Sequence, residues 1–155
     1  MTKSTSLALD QKDLDTILVI DFGSQYTQLI ARRVRELDVF SEILPWDISP
    51  ERIKDLNPAG IILSGGPESV TVSNTPRIPE IVFDLDVPIL GICYGMQTLA
   101  EQFGGQVTSS KVKEFGHAEI VIEETSVLFK GFSSGSSIDV WMSHGDHVST
   151  LPDKF

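Results

Sequence analysis

Residues 88–105, PILGICYGMQTLAEQFGG, decide how this chain folds. Pro88 to Ile92 is a short apolar run that reads as a buried strand. Tyr94 to Phe103 reads as a helix, with Gly104-Gly105 as its C-terminal cap. Between them, Gly91-Ile92-Cys93-Tyr94-Gly95 has the G-x-nucleophile-x-G spacing of a tight strand-to-helix turn, here with sulfur in place of oxygen. A side chain at either flanking glycine would clash in such a turn. The turn lifts Cys93 out of the sheet and sets it at a helix N-terminus, where unpaired N–H groups and the helix dipole favour negative charge. The N–H of Tyr94 would then point at a developing oxyanion. A lone cysteine is more commonly a small buried hydrophobe. The spacing, the strand before it and the helix after it together favour the nucleophile.

The segments upstream repeat the pattern of strand then helix. Ile17 to Asp21 is an apolar, β-branched strand, and after Gly23-Ser24 the residues Leu29, Ile30, Val34 and Leu37 recur at helical spacing up to about Asp38. Val39 to Leu44 is a second strand ended by Pro45. Ser49-Pro50 supplies a cap and a first-turn proline for a short helix. Gly60 to Leu63 is a third strand, followed by the loop Ser64-Gly65-Gly66-Pro67. Ile78 to Leu85 carries another short helix. This alternation predicts an α/β fold: a mainly parallel twisted sheet with helices on both faces. Beyond Gly105 the character changes. Val107, Ala118 to Glu123 and Ile138 to Met142 read as strands joined by Gly/Ser-rich turns. In open α/β sheets ligands bind at the carboxyl ends of strands. Three loops so placed are Gly23-Ser24-Gln25, Ser64-Gly65-Gly66-Pro67 and Cys93-Tyr94-Gly95.

Composition bounds the function. The chain has 155 residues, enough for one domain with a real core. Its 22 acidic against 12 basic side chains, a net charge of -10, argue against a nucleic-acid-binding surface. Arg32, Arg33 and Arg35 beside Glu36 and Asp38 read as a solvated helix face. A single cysteine cannot form an internal disulfide, which fits a reducing, cytoplasmic setting. No run approaches a membrane span. Residues 1–16 lack the apolar core of a secretory signal and read as an N-terminal extension.

Several residues accompany Cys93. Gln97 lies four positions on, so it rises from the same helix face and can reach a bound substrate; a plain surface glutamine is the alternative. Gly65-Gly66 can present backbone N–H groups with no side chain in the way, or be a simple turn. Ser64 to Ser69, SGGPES, nearly matches the SGGxDS phosphate loop of ATP pyrophosphatases. That loop should open directly into a helix, and Pro67 with the β-branched Val70-Thr71-Val72 argues otherwise.

The stretches ILVIDFGSQYTQLIARRVRE, SGGPESV, GICYGMQ and WMSHGDH carry a family resemblance. They resemble the class I glutamine amidotransferases, and within them the amidotransferase domains of the GMP synthase family. The resemblance implies a flavodoxin-like sheet and a Cys-His-Glu triad that hydrolyses glutamine through a γ-glutamyl thioester. It makes Cys93 the catalytic nucleophile and places the oxyanion hole at Gly66 and Tyr94. Gly65 and Gln97 would line the glutamine site. Ser143, Gly145 and Asp146 would occupy a loop whose backbone holds the two ends of the substrate. By composition, Ser143 to His147 is a polar turn after a strand.

The resemblance also implies partners. Ammonia would pass to an ATP-dependent synthetase domain, in the same chain or a separate subunit, that uses ATP and magnesium to convert XMP to GMP. The full-length enzyme would be a homodimer. No cofactor or metal is expected in this segment. The family's base and its orienter occur in an H-P-E motif on a later strand, and no H-P-E occurs in these 155 residues. Residues 17–155 are therefore expected to be an amidotransferase domain incomplete at its C-terminal end. His117-Ala118-Glu119 matches H-x-E but precedes the SHGD stretch, where the family motif follows it. His144 and His147 lack a carboxylate at the triad spacing. Two other readings stay open: another elbow-cysteine hydrolase acting on γ-glutamyl compounds, and a non-catalytic fragment that only binds a partner.

Overall fold

The computed structural model describes residues 15–153, with the backbone alone for 110–114. They fall into two units, one running to Val107 and resuming at Val148, the other Thr108–His147. Of the expected extension at residues 1–16, the first fourteen lie outside the described residues, and Thr16 already opens the first strand.

In the first unit, β1 (Thr16–Asp21), β2 (Phe40–Pro45), β3 (Gly60–Leu63) and β4 (Ile89–Gly91) form a parallel sheet in the order β2-β1-β3-β4. The intervening helices are α1 (Thr27–Arg35), α2 (Pro50–Leu56), a 3-10 helix at Glu80–Asp84 and α3 (Tyr94–Gln102). Parallel strands need crossovers, and the helices between them supply these. The chain first moves one way, from β1 to β2, and then reverses past β1 to β3 and β4. With right-handed crossovers that reversal puts helices on both faces.

Side-chain register shows the two faces. Leu18 pairs with Ile61 and Ile20 with Leu63, so these four share one face. They are buried with Ile53 of α2, Val82 of the 3-10 helix and Leu99 of α3 in one core. On the opposite face Ser41, paired with Ile17, donates its hydroxyl to the Ala31 carbonyl of α1 at 3.0 Å. Both faces being covered explains why β1 and β3 read as near-continuous apolar runs. Each fully buried Leu or Ile contributes about 1.5–3 kcal/mol.

The element ends follow local chemistry. Ser49 caps α2 by accepting the Arg52 N–H at 3.3 Å, with Pro50 in the first turn, as the sequence predicts. Helix α1 stops at Arg35, short of the expected Asp38, because Asp38 takes the left-handed conformation at φ 60°. The Asp21 carboxylate organises the turn into α1, accepting the Gly23 N–H at 2.9 Å and the Thr27 hydroxyl at 2.7 Å. At the end of α3, Gly104 sits at φ +86°, and the Gly105 N–H returns to the Ala100 carbonyl at 2.8 Å.

The second unit departs from expectation. Strands β5 (Gln106–Val121) and β6 (Ser137–Thr150) form a separate two-stranded sheet. Thr108 meets His147, His117 meets Asp139, and Ile122 meets Ser136, so the strands run antiparallel. Two segments expected as strands around a turn, Val107 and Ala118 to Glu123, are thus largely one long strand. Ser143 to His147, expected as a loop, is strand as well. The ladder to β5 overrides the turn preference of Gly145 and Asp146.

Candidate active site

The loops after β1, β3 and β4 meet at the carboxyl edge of the sheet. Strands β1 and β3 are neighbours although the chain visits β2 between them, so their loops flank the topological switch point.

Cys93 joins β4 to α3 with φ 51° and ψ −113°, a region that L residues rarely occupy. The flanking glycines are required. A Cβ on Gly91 would lie 2.6 Å from the Met96 Cα, and one on Gly95 would lie 2.4 Å from the Leu63 carbonyl oxygen. The same approach brings the Gly95 N–H within 3.0 Å of the Ser64 carbonyl oxygen. The elbow is therefore packed directly against the end of β3. Cys93 is half-buried and free.

The Ser64-Gly65-Gly66 loop lines the neighbouring side. A Cβ built on Gly65 would stand 3.6 Å from the Cys93 Cβ and 3.6 Å from the Ser24 hydroxyl oxygen. On Gly66 it would meet the Phe22 carbonyl oxygen at 2.6 Å. Gly66 hence lets backbone approach backbone, while a Cβ on Gly65 would make only ordinary contacts with side chains. Among the described residues, neither the Gly66 N–H nor the Tyr94 N–H has a hydrogen-bond partner. Unpaired N–H donors of this kind are what an anionic oxygen requires.

Tyr94 is buried, with its ring 5.4 Å from that of Phe22 and its hydroxyl donating to the Pro76 carbonyl at 2.6 Å. Gln97 is buried too, and its N–H bonds to the Cys93 carbonyl at 3.0 Å. The structure thus brings together Cys93, Tyr94, Gly65, Gly66 and Gln97. Ser143, Gly145 and Asp146 lie on β6, in the second unit. The three histidines are in the second unit too, His117 on β5 and His144 and His147 on β6. His117 Nε2 is 2.8 Å from Asp139 Oδ1 on an exposed strand surface, across the sheet and not with Glu119. His147 Nε2 lies 3.2 Å from the Thr108 hydroxyl.

No helix follows the Ser64-Gly65-Gly66-Pro67 loop directly, which removes the phosphate-loop reading of SGGPES. Among the described residues no three of His, Cys, Asp and Glu gather as a metal would need. No helix among them is long and apolar enough to cross a membrane.

Sequence reasoning missed Ser64 as an individual and the fastening of α3. The Gln102 amide accepts the Ile78 N–H at 2.9 Å and donates to the Ile78 carbonyl at 3.1 Å. Only a composition signal hinted at either residue.

Comparison with known proteins agrees with this fold. A GMP synthase [glutamine-hydrolyzing] of Teredinibacter turnerae is 58% identical over 145 residues, covering 90% of this chain and 28% of that protein. The protein of the same name from Colwellia psychrerythraea is also 58% identical, with the same coverage. The chain thus spans 28% of the length of these relatives. A solved glutamine amido transferase from Methylobacillus flagellatus superimposes with a TM-score of 0.68 at 22% identity, covering 90% of this chain and 59% of that one, a likeness of fold. The family pattern described as glutamine amidotransferase class-I matches residues 18–155, and the chain belongs to that family.

Proposed function

We propose that this chain is the glutamine-hydrolysing part of a GMP synthase, with Cys93 as its nucleophile. The observation that carries the reading is the elbow: Cys93 in a left-handed conformation at the start of α3, flanked by two obligatory glycines and faced by Gly65. The relatives' names and the identity of 58% support the placement in GMP synthesis.

In this mechanism the Cys93 sulfur adds to the γ-carbonyl carbon of glutamine. The carbonyl oxygen becomes an oxyanion held by the N–H groups of Gly66 and Tyr94. The C–N bond then breaks, a proton reaches the departing nitrogen, and ammonia leaves a γ-glutamyl thioester on Cys93. Water adds to the thioester, the C–S bond breaks, and glutamate departs. Gly65 and Gln97 line the glutamine site. Ammonia passes to an ATP- and magnesium-dependent synthetase part that converts XMP to GMP. The complete enzyme works as a homodimer in the cytoplasm, and glutamine hydrolysis itself uses no cofactor.

The test is Cys93→Ala in the complete enzyme. Glutamine-dependent amination should disappear while amination by added ammonium salts persists, because the thiolate makes ammonia and does not use it. Loss of both activities together, in a folded variant, would refute the division of labour. Turnover of γ-glutamyl peptides in preference to glutamine would point to a hydrolase of another kind.

A further inference from the structure

We propose that the Ser64 hydroxyl is a positioning group for the oxyanion hole, acting through the peptide bond between Gly65 and Gly66. The inference rests on the reading of Gly66 N–H as an oxyanion donor and explains what aims it.

A peptide flanked by two glycines rotates with little steric penalty, since neither neighbour carries a Cβ. Its orientation must come from hydrogen bonds. Ser64 is fully buried, and its hydroxyl makes two of them. The Phe22 N–H approaches the Ser64 Oγ at 3.1 Å, and the Ser64 Oγ lies 2.9 Å from the Gly65 carbonyl oxygen. The chemistry leaves no choice of direction. A backbone N–H only donates and a carbonyl only accepts, so the hydroxyl accepts from Phe22 and donates to Gly65.

The Gly65 carbonyl belongs to the same planar unit as the Gly66 N–H. No peptide in the described chain is cis, so this N–H points opposite to the carbonyl. Holding the carbonyl inward on a buried hydroxyl therefore aims the Gly66 N–H outward, away from the sheet end. There it has no partner among the described residues, on a loop whose Gly65 stands beside Cys93.

The backbone of Ser64 is fixed as firmly. Its N–H donates to the Ile20 carbonyl at 3.0 Å, and its carbonyl accepts the Gly95 N–H at 3.0 Å. One residue thus ties the end of β1, the glycine loop and the Cys93 elbow together. Substituting the hydroxyl alone would leave this backbone frame and the thiol in place while freeing the Gly65–Gly66 peptide to turn.

The experiment uses the complete enzyme with Ser64→Ala, and with the isosteric pair Ser64→Thr and Ser64→Val, which differ in the hydroxyl but not in shape. Ser64→Ala should lower kcat for glutamine roughly tenfold to a hundredfold, below the hundred- to thousandfold typical of losing a donor outright. KM should stay within roughly twofold, since ground-state binding does not use the donor fully. Inhibition by glutamate γ-semialdehyde, whose adduct with Cys93 carries the same tetrahedral oxygen, should weaken by the same factor as kcat. Alkylation of Cys93 by iodoacetamide, which forms no oxyanion, should keep its rate. Ser64→Thr should exceed Ser64→Val in kcat by roughly tenfold, a ratio that packing changes common to both cannot produce.

Three results would overturn the proposal: unchanged kcat in folded Ser64→Ala, a change confined to KM, or equal rates in the Thr and Val variants. Cys93→Ala run alongside separates the two levels. If Cys93→Ala still hydrolyses glutamine, the active-site reading itself fails. If it is inactive while Ser64→Ala works at full rate, only the role of Ser64 falls.

Discussion

Cys93→Gly should make the protein more stable than Cys93→Ala. Both variants lack the thiol, so catalysis does not enter the comparison, and Cys93 makes no side-chain capping bond that either would lose. The difference is the Cβ at a residue held at φ 51° and ψ −113°. Holding an L residue in such a region costs about 1–3 kcal/mol, a strain that alanine keeps and glycine relieves. Glycine's looser unfolded chain works against it by about 0.4–1 kcal/mol. Relief of strain outweighs that entropy, leaving a net gain of about 1–2 kcal/mol for glycine. At about 2–4 °C per kcal/mol for a chain of this size, Tm should rise by roughly 2–8 °C. Urea unfolding of the two variants side by side, with equal m-values, measures the gap. If the alanine variant is as stable as the glycine one or more so, the elbow stores no strain and the argument fails.

Gly66→Ala should lower kcat for glutamine by about a hundredfold, or about 3 kcal/mol, because its methyl cannot fit against the Phe22 carbonyl and the loop must shift its N–H. Steady-state kinetics on a variant of unaltered melting temperature decides, and an unchanged kcat would remove Gly66 from the site. Gly95→Ala should disrupt the elbow itself, since its Cβ would press on the Leu63 carbonyl and oppose the bond to Ser64. We expect a loss of more than about 2 kcal/mol in urea unfolding; wild-type stability would mean that the turn accommodates a side chain. Residues 1–155 expressed alone should release glutamate no faster than their Cys93→Ala counterpart, because a positioned base typically supplies a hundred- to ten-thousandfold, about 3–5 kcal/mol, and His117, His144 and His147 all lie outside any H-P-E motif. Robust Cys93-dependent release would make one of them the base.

What the sequence makes legible is local. The boundaries of β3, the Ser49 cap and the Gly91–Gly95 elbow follow from residue types within a few positions of one another, and the structure keeps all three. The order of the strands follows from alternation and the handedness of crossovers. Two of the misreadings share one cause. Whether Ser143 to His147 turns or extends depends on β5, some forty residues earlier; the Thr108 to His147 contact spans 39 positions. Ser64 likewise reads as one polar residue in a glycine loop until Phe22, 42 positions away, comes to lie against it. Local propensity cannot register a partner that only the fold supplies.

The two proposed oxyanion donors belong to different strands' loops, so something must fix their separation. The parallel ladder does so by continuing beyond the strands. Ile92 N–H donates to the Leu63 carbonyl at 3.0 Å, and Gly95 N–H donates to the Ser64 carbonyl at the same distance. These bonds carry the β3–β4 pairing into the residues that flank Cys93, where loops would ordinarily diverge. The far side of α3 is held by side chains. The Tyr94 hydroxyl and the Gln102 amide grip Pro76 and Ile78, and Gln102 also accepts from the Thr98 hydroxyl at 3.1 Å. A strained residue persists only where its surroundings over-determine it. Here the determinants are backbone bonds on one side and side-chain bonds on the other. The bonds on the backbone side exist because Gly95 lacks a Cβ, so the glycine that shapes the elbow also lets the sheet align the site.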